Sequence, residues 1–197
     1  MSDPQTRQIL RQSLRQQRRQ LSYEQQKHAA IGLASHLPDH SLIHHASQIA
    51  LYIANDGEID PHILAEVLSA RGKQLALPIM HPFNDEQLLF QRFRPGQQLM
   101  NNALGIPEPE LSKPDLVPLQ ELDVILLPLV GFDPHGNRLG MGGGFYDRTL
   151  GGYTPAQRPT LIGLAHSCQQ VEKLMAAEWD VPIDAVATGE QLIRFDR

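Results

Sequence analysis

The segment LDVILLPLVGFD, at residues 122–133, constrains the fold more than any other part of the chain. It is the most apolar strand-like run in the sequence, and its apolar side chains occupy successive rather than alternate positions. A strand of this kind is buried on both faces, which is typical of the centre of a covered sheet. The segment is therefore predicted to be a central strand.

Shorter apolar runs and helical patterns alternate along the rest of the chain. Helical periodicity predicts one helix that begins at Pro61 and ends before Gly72, and another over residues 169–179. Apolar runs bounded by polar residues predict further strands at 47–54, 73–80, 87–93, 160–167 and 184–189, and alternation in QLLFQRF favours an antiparallel or edge strand. Strands that alternate with helices predict an α/β fold, an open and mainly parallel twisted sheet flanked by helices in a Rossmann-like three-layer arrangement.

The N-terminal part of the chain predicts a pair of helices before the sheet. In TRQILRQSLRQQRRQL the leucines fall on one stripe and the arginines on another. Ser22 then begins a second helix as its N-cap, with Gln25 as the capping-box partner, and this helix is expected to end at Pro38.

Composition limits the classes of function. Apolar residues make up 41% of the 197 residues, which is enough for a core. The single cysteine, Cys168, excludes an internal disulfide and favours a reducing compartment. No apolar run approaches the roughly 20 residues that span a bilayer. These features predict a single α/β domain over residues 1–197, in the cytoplasm and without a membrane partner, and we expect a monomer.

Positive charge is concentrated in the basic helix predicted over residues 4–20. Five of the 17 lysines and arginines lie there, and the remainder of the chain is acidic, with a net charge of -5 overall. That balance argues against a nucleic-acid partner. The four-residue spacing of Arg7 and Arg11 places both on one helix face, where they either converge on one polyanion or form a solvated stripe. Arg15, Arg18 and Arg19 are expected to lie at the surface.

The segment GNRLGMGGGFYD, at residues 136–147, contains five glycines. Glycine allows backbone N–H groups to approach a phosphate closely and to adopt positive φ angles. The segment does not fit the Walker pattern, because it lacks the lysine that this pattern requires. It does not fit the dinucleotide pattern either, because that pattern has a third glycine where this chain does not. Arg138 before the glycines and Asp147 after them suit phosphate and Mg²⁺. A flexible connection without a ligand is the alternative interpretation.

The chain resembles the 5-formyltetrahydrofolate cyclo-ligase family. The resemblance rests on DPHGNRLGMGGGFYD and extends through most of the sequence, with the basic helix ending in LS, the turn LYIANDGEID, the IPEP excursion and the closing DVPIDAVATG in the family's order. It implies an ATP-driven ring closure of 5-formyltetrahydrofolate that also requires Mg²⁺. In that reaction the formyl oxygen takes the γ-phosphoryl group, N10 attacks the formyl carbon, and phosphate leaves.

The resemblance also implies roles for particular residues. Arg138 and Asp147 would be catalytic, and Asp147 and Asp184 would hold Mg²⁺, although Asp184 also suits a turn or helix cap. Glu58 and Ile53 would bind the reduced folate, although Ile53 alone suits a strand core. The residues implied to bind ATP are Arg7, Arg11, Arg138, Leu139, Gly140, Met141, Gly142, Gly143, Gly144, Phe145 and Tyr146.

The glycine loop departs from many relatives, which carry Arg and Lys where this chain has Met141 and Gly143. Either other cations, such as the N-terminal arginines, Arg148 or Mg²⁺, replace that charge, or ATP binds more weakly. His166 follows a predicted strand and either faces the ligand cleft or lies in the core. Two other functions remain open: a sugar-phosphate isomerase or CoA-transferase-like enzyme, and a regulator that senses a nucleotide and binds nucleic acid.

Overall fold

The computed structural model describes residues 4–84 and 86–195. Within them, one mixed sheet is built from eight strands, in the spatial order β12 (Leu192–Arg194), β11 (Ala185–Ala187), β10 (Thr160–Leu164), β7 (Val124–Pro128), β1 (Gln48–Ala50), β2 (Gln74–Met80), β3 (Leu88–Phe93) and β6 (Leu116–Val117). The five strands from β11 to β2 are parallel to one another, and the strands at the two edges are antiparallel. The predicted, mainly parallel α/β sheet is confirmed, including the antiparallel partner at residues 87–93.

Two short ribbons accompany the sheet. One pairs β4 (Met100–Asn101) with β5 (Pro107–Glu108), and the other pairs β8 (Gly131–Phe132) with β9 (Arg138–Leu139). The second ribbon follows β7 directly and delivers the chain into the glycine loop. Both ribbons contribute residues to the cavity described below.

The helices are α1 (Pro4–Arg19), α2 (Tyr23–His36), α3 (Ser41–His44), α4 (His62–Ala70) and α5 (Phe145–Leu150). Helix α2 begins at the predicted capping box: the Ser22 hydroxyl accepts from the Gln25 N–H, and the Gln25 amide oxygen accepts from the Ser22 N–H. These bonds satisfy N–H groups that the first turn of a helix leaves without a partner. The predicted N-terminal helical pair is therefore confirmed.

Strand β7 lies at the centre of the sheet and is buried on both faces, as its sequence predicts. Val124 and Leu126 point into one hydrophobic cluster, which includes residues of α2 and α4, while Ile125 and Leu127 point into a second on the opposite face, which includes Leu150 of α5. Side chains of successive strand residues alternate between faces, so one strand supports both clusters. Helices α2 and α4 therefore cover one face of the sheet, and α5 lies on the other.

The helix predicted over residues 169–179 is wrong. A short 3₁₀ turn covers Ser167–Gln169, and irregular chain follows it. The backbone N–H of Val171 donates to the carbonyl of Phe132, and that of Leu174 donates to the carboxylate of Asp133. These tertiary hydrogen bonds use donors that a helix would need internally, so the segment lies against the β8–β9 ribbon instead.

Across residues 4–84 and 86–195, none of the helices combines the length and the apolar character needed to cross a bilayer.

Candidate functional site

A cavity of about 1250 Å³ lies at the carboxyl ends of β1 and β7, where Tyr52 and Pro128 form part of its wall. After β1 the next strand, β2, lies towards one edge of the sheet, whereas after β7 the next strand of the sheet, β10, lies towards the opposite edge. Ligands of open α/β sheets bind at such a switch point. The volume exceeds the roughly 300–1,000 Å³ typical of a pocket for one small molecule.

Most of the predicted site residues line this one cavity. They are Arg7, Arg11, Ile53, Glu58, Arg138, Gly140, Met141, Gly142, Gly143, Gly144, Phe145, Tyr146 and Asp147. Among the described residues, Leu139 and Asp184 are the two predicted positions that do not line it. The side chain of Leu139 packs with Leu14 and Val130 beneath α1, so only its backbone belongs to the loop.

The glycine loop runs from the end of β9 to the start of α5. Gly142 and Gly144 have φ angles of 108° and 67°, and Gly144 is the residue before the first helical turn. Residues with a Cβ rarely adopt these angles, so glycine is needed at both positions. A side chain at Gly144 would also collide with the guanidinium of Arg148. The loop therefore presents bare backbone to the cavity.

Three arginines that lie in helices α1 and α5 contact this loop. Arg11 Nε donates to the Gly140 carbonyl at 2.8 Å, and Arg148 Nη2 donates to the Gly143 carbonyl at 2.5 Å. Arg18 Nη2 lies 3.6 Å from the Met141 sulfur. Partial burial, together with the nearby positive charges of Arg7 and Arg15, lowers the pKa of Arg11 below its usual value. Positive charge thus surrounds a loop that carries none at positions 141 and 143.

Arg7 is held at the rim of the same cavity by Asp180. Its Nη1 and Nη2 donate to the two carboxylate oxygens of Asp180 at 2.5 and 3.2 Å, and Nη1 also reaches the Met175 carbonyl at 3.2 Å. The fork of Arg7 therefore already binds a planar anion with both arms. Asp180 belongs to the irregular segment that follows the incorrectly predicted helix, so the sequence pattern did not identify it.

Arg138 and Asp147 form a mostly buried pair at the two ends of the glycine loop. Arg138 Nη2 donates to Asp147 Oδ1 at 2.5 Å, and Arg138 Nε donates to the Val181 carbonyl at 3.1 Å. The Val181 N–H donates to the same Oδ1 at 2.9 Å. Within the described residues both of these hydrogen bonds to the carboxylate fall on Oδ1, which leaves Oδ2 as the oxygen able to bind a cation.

Asp184 is engaged in a different way. Its two oxygens accept from Arg158 Nη1 and Nη2 at 2.7 and 3.0 Å, and Oδ2 also accepts from the Leu161 N–H at 2.8 Å. The role of Asp184 in binding Mg²⁺ stays a prediction, and it would require Asp184 to leave Arg158. No three His, Cys, Asp or Glu side chains among the described residues are grouped to hold a metal. Mg²⁺ usually takes only one or two carboxylates when phosphates supply further oxygens.

Glu58 projects into the cavity from the turn after β1. Its Oε2 accepts from the Asn55 N–H at 3.0 Å, and its Oε1 lies 3.6 Å from Arg18 Nη2. Burial raises the pKa of Glu58 above its usual value, although the Asn55 N–H and Arg18 act in the opposite direction. Ile53 and Tyr146 also line the cavity, so the carboxylate shares it with apolar side chains as well as with the charge of Arg18.

The prediction that Arg18 lies at the surface is wrong. The side chain is 0% exposed and makes hydrogen bonds to Asp56, the Leu129 carbonyl and Met141. Arg15 and Arg19 also pair with Asp56, from positions that are 30% and 54% exposed. Nothing in an arginine stripe distinguishes the buried member, because the partner turn is about 40 residues away along the chain.

His166 lies in the core and is 4% exposed. It is absent from the cavity wall formed by the described residues, so of the two predicted positions it occupies the core. Burial, with the positive charge of Arg18 adding to it, lowers the pKa of His166 from 6.5 to about 4. The imidazole is therefore neutral at physiological pH.

A family model of the 5-formyltetrahydrofolate cyclo-ligase family matches residues 3–189. The chain is 44% identical over 179 residues to 5-formyltetrahydrofolate cyclo-ligase of Escherichia coli strain K12, a match that covers 91% of this chain and 98% of that protein. The chain belongs to the 5-formyltetrahydrofolate cyclo-ligase family. The protein of that name from Haemophilus influenzae is 43% identical over 187 residues, with 94% and 98% covered.

Two solved structures named as 5,10-methenyltetrahydrofolate synthetases share the fold. The NMR structure of Aquifex aeolicus 5,10-methenyltetrahydrofolate synthetase has a TM-score of 0.79 at 28% identity, covering 97% of this chain and 93% of that one. The synthetase from Mycoplasma pneumoniae has a TM-score of 0.73 at 25% identity, covering 93% and 99%. The matched cyclo-ligase region contains every residue that lines the cavity, from Pro4 to Pro182.

Proposed function

We propose that this protein converts 5-formyltetrahydrofolate to 5,10-methenyltetrahydrofolate at the expense of ATP, with Mg²⁺, and releases ADP and phosphate. The proposal rests mainly on one observation: a surface suited to phosphate and a surface suited to a pterin ring lie in the same cavity. One surface is the glycine loop with the arginines that contact it, and the other is the carboxylate of Glu58 with the apolar side chain of Ile53. Membership of the cyclo-ligase family supports the assignment.

The polyphosphate of ATP would bind against the glycine loop. Residues 140–146 line the cavity, so their backbone N–H groups are the proposed phosphate donors, and Arg11 and Arg138 line it beside them. Arg7 would exchange the carboxylate of Asp180 for a phosphate, since a guanidinium binds both groups through the same pair of donors. Arg148, which contacts the Gly143 carbonyl, adds charge where the loop has no cationic side chain.

The donors present fit a magnesium ion shared between the protein and a nucleotide. Asp147 Oδ2 would hold it, next to the loop that would hold the phosphates. When bound, Mg²⁺ neutralises phosphate charge and favours an in-line arrangement of the γ-phosphoryl group. Asp184 is a proposed second ligand only if its contacts with Arg158 are released.

The reduced folate would bind beside the nucleotide. The carboxylate of Glu58 would accept hydrogen bonds from the N–H groups of the pterin ring, with Ile53 packed against its apolar surface. Because Glu58 is fixed by the Asn55 N–H through one oxygen, its other oxygen keeps a defined direction.

The reaction then needs positioning more than covalent help from the protein. The formyl oxygen bonds to the γ-phosphorus as the bond to ADP breaks, which turns a poor leaving group into a good one. N10 bonds to the formyl carbon, loses its proton, and phosphate departs with the formyl oxygen. Arg138 would stabilise the charge on the transferring phosphoryl group, and Asp147 keeps that guanidinium in place.

An absorbance assay tests the proposal. Purified protein with 5-formyltetrahydrofolate, ATP and Mg²⁺ should develop the near-ultraviolet absorbance of methenyltetrahydrofolate, and omission of ATP or chelation of Mg²⁺ should stop it. Product that forms without ATP, or no product at all, would contradict the proposal. Binding of a sugar phosphate without ATP would favour the isomerase-like alternative, and salt-sensitive binding of RNA or DNA would favour the regulator.

A further inference from the structure

Arg18 connects two parts of the cavity wall, at Asp56 and Met141, with the chain just past the end of β7. Its Nε donates to the Asp56 carbonyl at 2.8 Å and its Nη2 to Asp56 Oδ2 at 2.9 Å, both in the turn after β1. Its Nη1 donates to the Leu129 carbonyl, just past the end of β7, at 3.0 Å. Its Nη2 also lies 3.6 Å from Met141 in the glycine loop. A guanidinium has five donors in a rigid fork, so these contacts together define one orientation.

We infer that Arg18 is a positioning residue that holds the Glu58 carboxylate in the place where the folate binds. The inference rests on the proposed function, because it takes Glu58 to be the folate ligand. Arg18 would not touch either substrate; it acts on Glu58 through the turn that carries it and through the ion pair between Arg18 Nη2 and Glu58 Oε1 at 3.6 Å.

The turn at residues 55–58 needs such support. Asp56 has a φ of 55°, an uncommon conformation for a residue with a side chain, and Gly57 follows with a φ of 74°. A backbone held in this region persists when its surroundings over-determine it. Arg18 donates hydrogen bonds to both the carbonyl and the carboxylate of Asp56, so it fixes the turn two residues before Glu58.

Burial of the guanidinium strengthens the case. Arg18 is 0% exposed, and an unpaired charge there would be strongly unfavourable. Arg15 and Arg19 pair with the same Asp56, but each reaches only the carboxylate and neither contacts β7 or the glycine loop within the described residues. Arg19 therefore provides a matched control, an arginine of the same helix that pairs with the same carboxylate from an exposed position.

The charge of Arg18 gives a readout that loss of packing alone would not change. The groups that face Glu58 are Arg18 and Arg15 from α1, the Asn55 N–H from the turn, and the hydroxyls of Tyr52 and Tyr146. The two arginines lower the pKa of Glu58, against the effect of burial. Removing Arg18, the nearer of the two, should raise the pKa of Glu58. As the pH is lowered, Glu58 would then be protonated earlier, and folate binding should begin to weaken at a higher pH than in the unchanged protein.

The test compares Arg18→Met, Arg18→Lys and Arg19→Met with the unchanged protein. Calorimetry measures the affinity for 5-formyltetrahydrofolate and for ATP as a function of pH, and thermal unfolding checks that each variant folds. We expect Arg18→Met to weaken folate binding at least tenfold more than ATP binding and to move the acidic limb of folate binding to higher pH. Arg18→Lys keeps the charge but not the fork, so it should weaken folate binding while leaving the acidic limb in place. Arg19→Met should match the unchanged protein.

Folded Arg18 variants with unchanged folate affinity and unchanged pH dependence would overturn the inference. Equal losses for both ligands that follow the fall in melting temperature would also overturn it, because they would show a structural role alone. Calorimetry needs no turnover, so folate binding without product would contradict the proposed reaction and leave the role of Arg18 to be decided by the variants. No folate binding by the unchanged protein would overturn both.

Discussion

Arg138 and Asp147 are joined by a 2.5 Å hydrogen bond across the mouth of the glycine loop, and the guanidinium side chain is only 3% exposed. The pair brings a cation suited to phosphate next to a carboxylate oxygen suited to Mg²⁺. Because both side chains are largely shielded from water, their charges act through a low effective dielectric. This relationship makes the exit of the glycine loop the expected centre of phosphoryl transfer.

We predict that Asp147→Asn lowers kcat by roughly 10²–10³-fold, the range seen when one electrostatic contact to a transition state is lost. The amide would be a poorer ligand for Mg²⁺ and would also weaken the hold on Arg138. Initial rates over a Mg²⁺ titration measure both effects. Glu172→Gln removes the same charge from an exposed site and should leave kcat unchanged. A variant with normal kcat and normal Mg²⁺ dependence would exclude Asp147 as the ligand.

Arg11→Ala should raise KM for ATP about tenfold or more, since a hydrogen bond to a charged group contributes roughly 1.5–3 kcal/mol. Arg11 lines the cavity and bonds the Gly140 carbonyl, so its removal also loosens the start of the loop. Initial rates at varied ATP measure the change. Arg94→Ala, an exposed arginine away from the cavity wall, is the control. If Arg11→Ala behaves like the unchanged protein, Arg11 takes no part in binding ATP.

Glu58→Gln should stabilise the fold at pH 7 while abolishing folate binding. Burial raises the folded-state pKa of Glu58 above 4.5, so the folded state holds the proton more tightly than the unfolded state does. Stability from this group is then present below pH 4.5 and is lost as pH rises through the folded-state pKa. The variant avoids that loss. Urea unfolding should show its advantage at pH 7, with the difference narrowing as pH falls to 4.5; an advantage that grows on acidification would contradict this.

The buried His166 should make the fold less stable as the pH falls, which is opposite to the effect of Glu58. Its pKa is lowered from 6.5 to about 4, so between those values the unfolded state binds more protons than the folded state. Stability is therefore lost as pH falls from 6.5 towards 4. His166→Gln removes the titrating group, and its free energy of unfolding should depend less steeply on pH in that window. An equally steep dependence in both proteins would show that other groups are responsible.

Sequence patterns predicted those elements whose signals are local. The doubly apolar run predicted β7 at the centre of the sheet, and Ser22 with Gln25 predicted the start of α2. The glycine-rich segment 136–147 predicted the loop that lines the cavity. Each of these depends on neighbouring residues and on backbone properties that do not need knowledge of the tertiary structure.

Tertiary contacts decided the rest. The helical pattern at 169–179 was overridden because Val171 and Leu174 bond to the β8–β9 ribbon instead. Arg18 was assigned to the surface because its stripe looks solvated, yet the turn containing Asp56 covers it. Asp184 matched the family pattern as a metal ligand, and its pairing with Arg158 depends on a residue 26 positions earlier in the chain. Such long-range pairings cannot be read from local spacing.

Transfer of the γ-phosphoryl group to the formyl oxygen is the step on which the proposed reaction depends, and an isotope label can follow it. The unchanged protein would be given 5-formyltetrahydrofolate labelled with ¹⁸O in the formyl group, together with ATP and Mg²⁺, and the released phosphate would be analysed by mass spectrometry. If the formyl oxygen is phosphorylated, each phosphate formed with methenyltetrahydrofolate should carry one ¹⁸O. Unlabelled phosphate alongside product would contradict it, because the formyl oxygen would then have left without being phosphorylated.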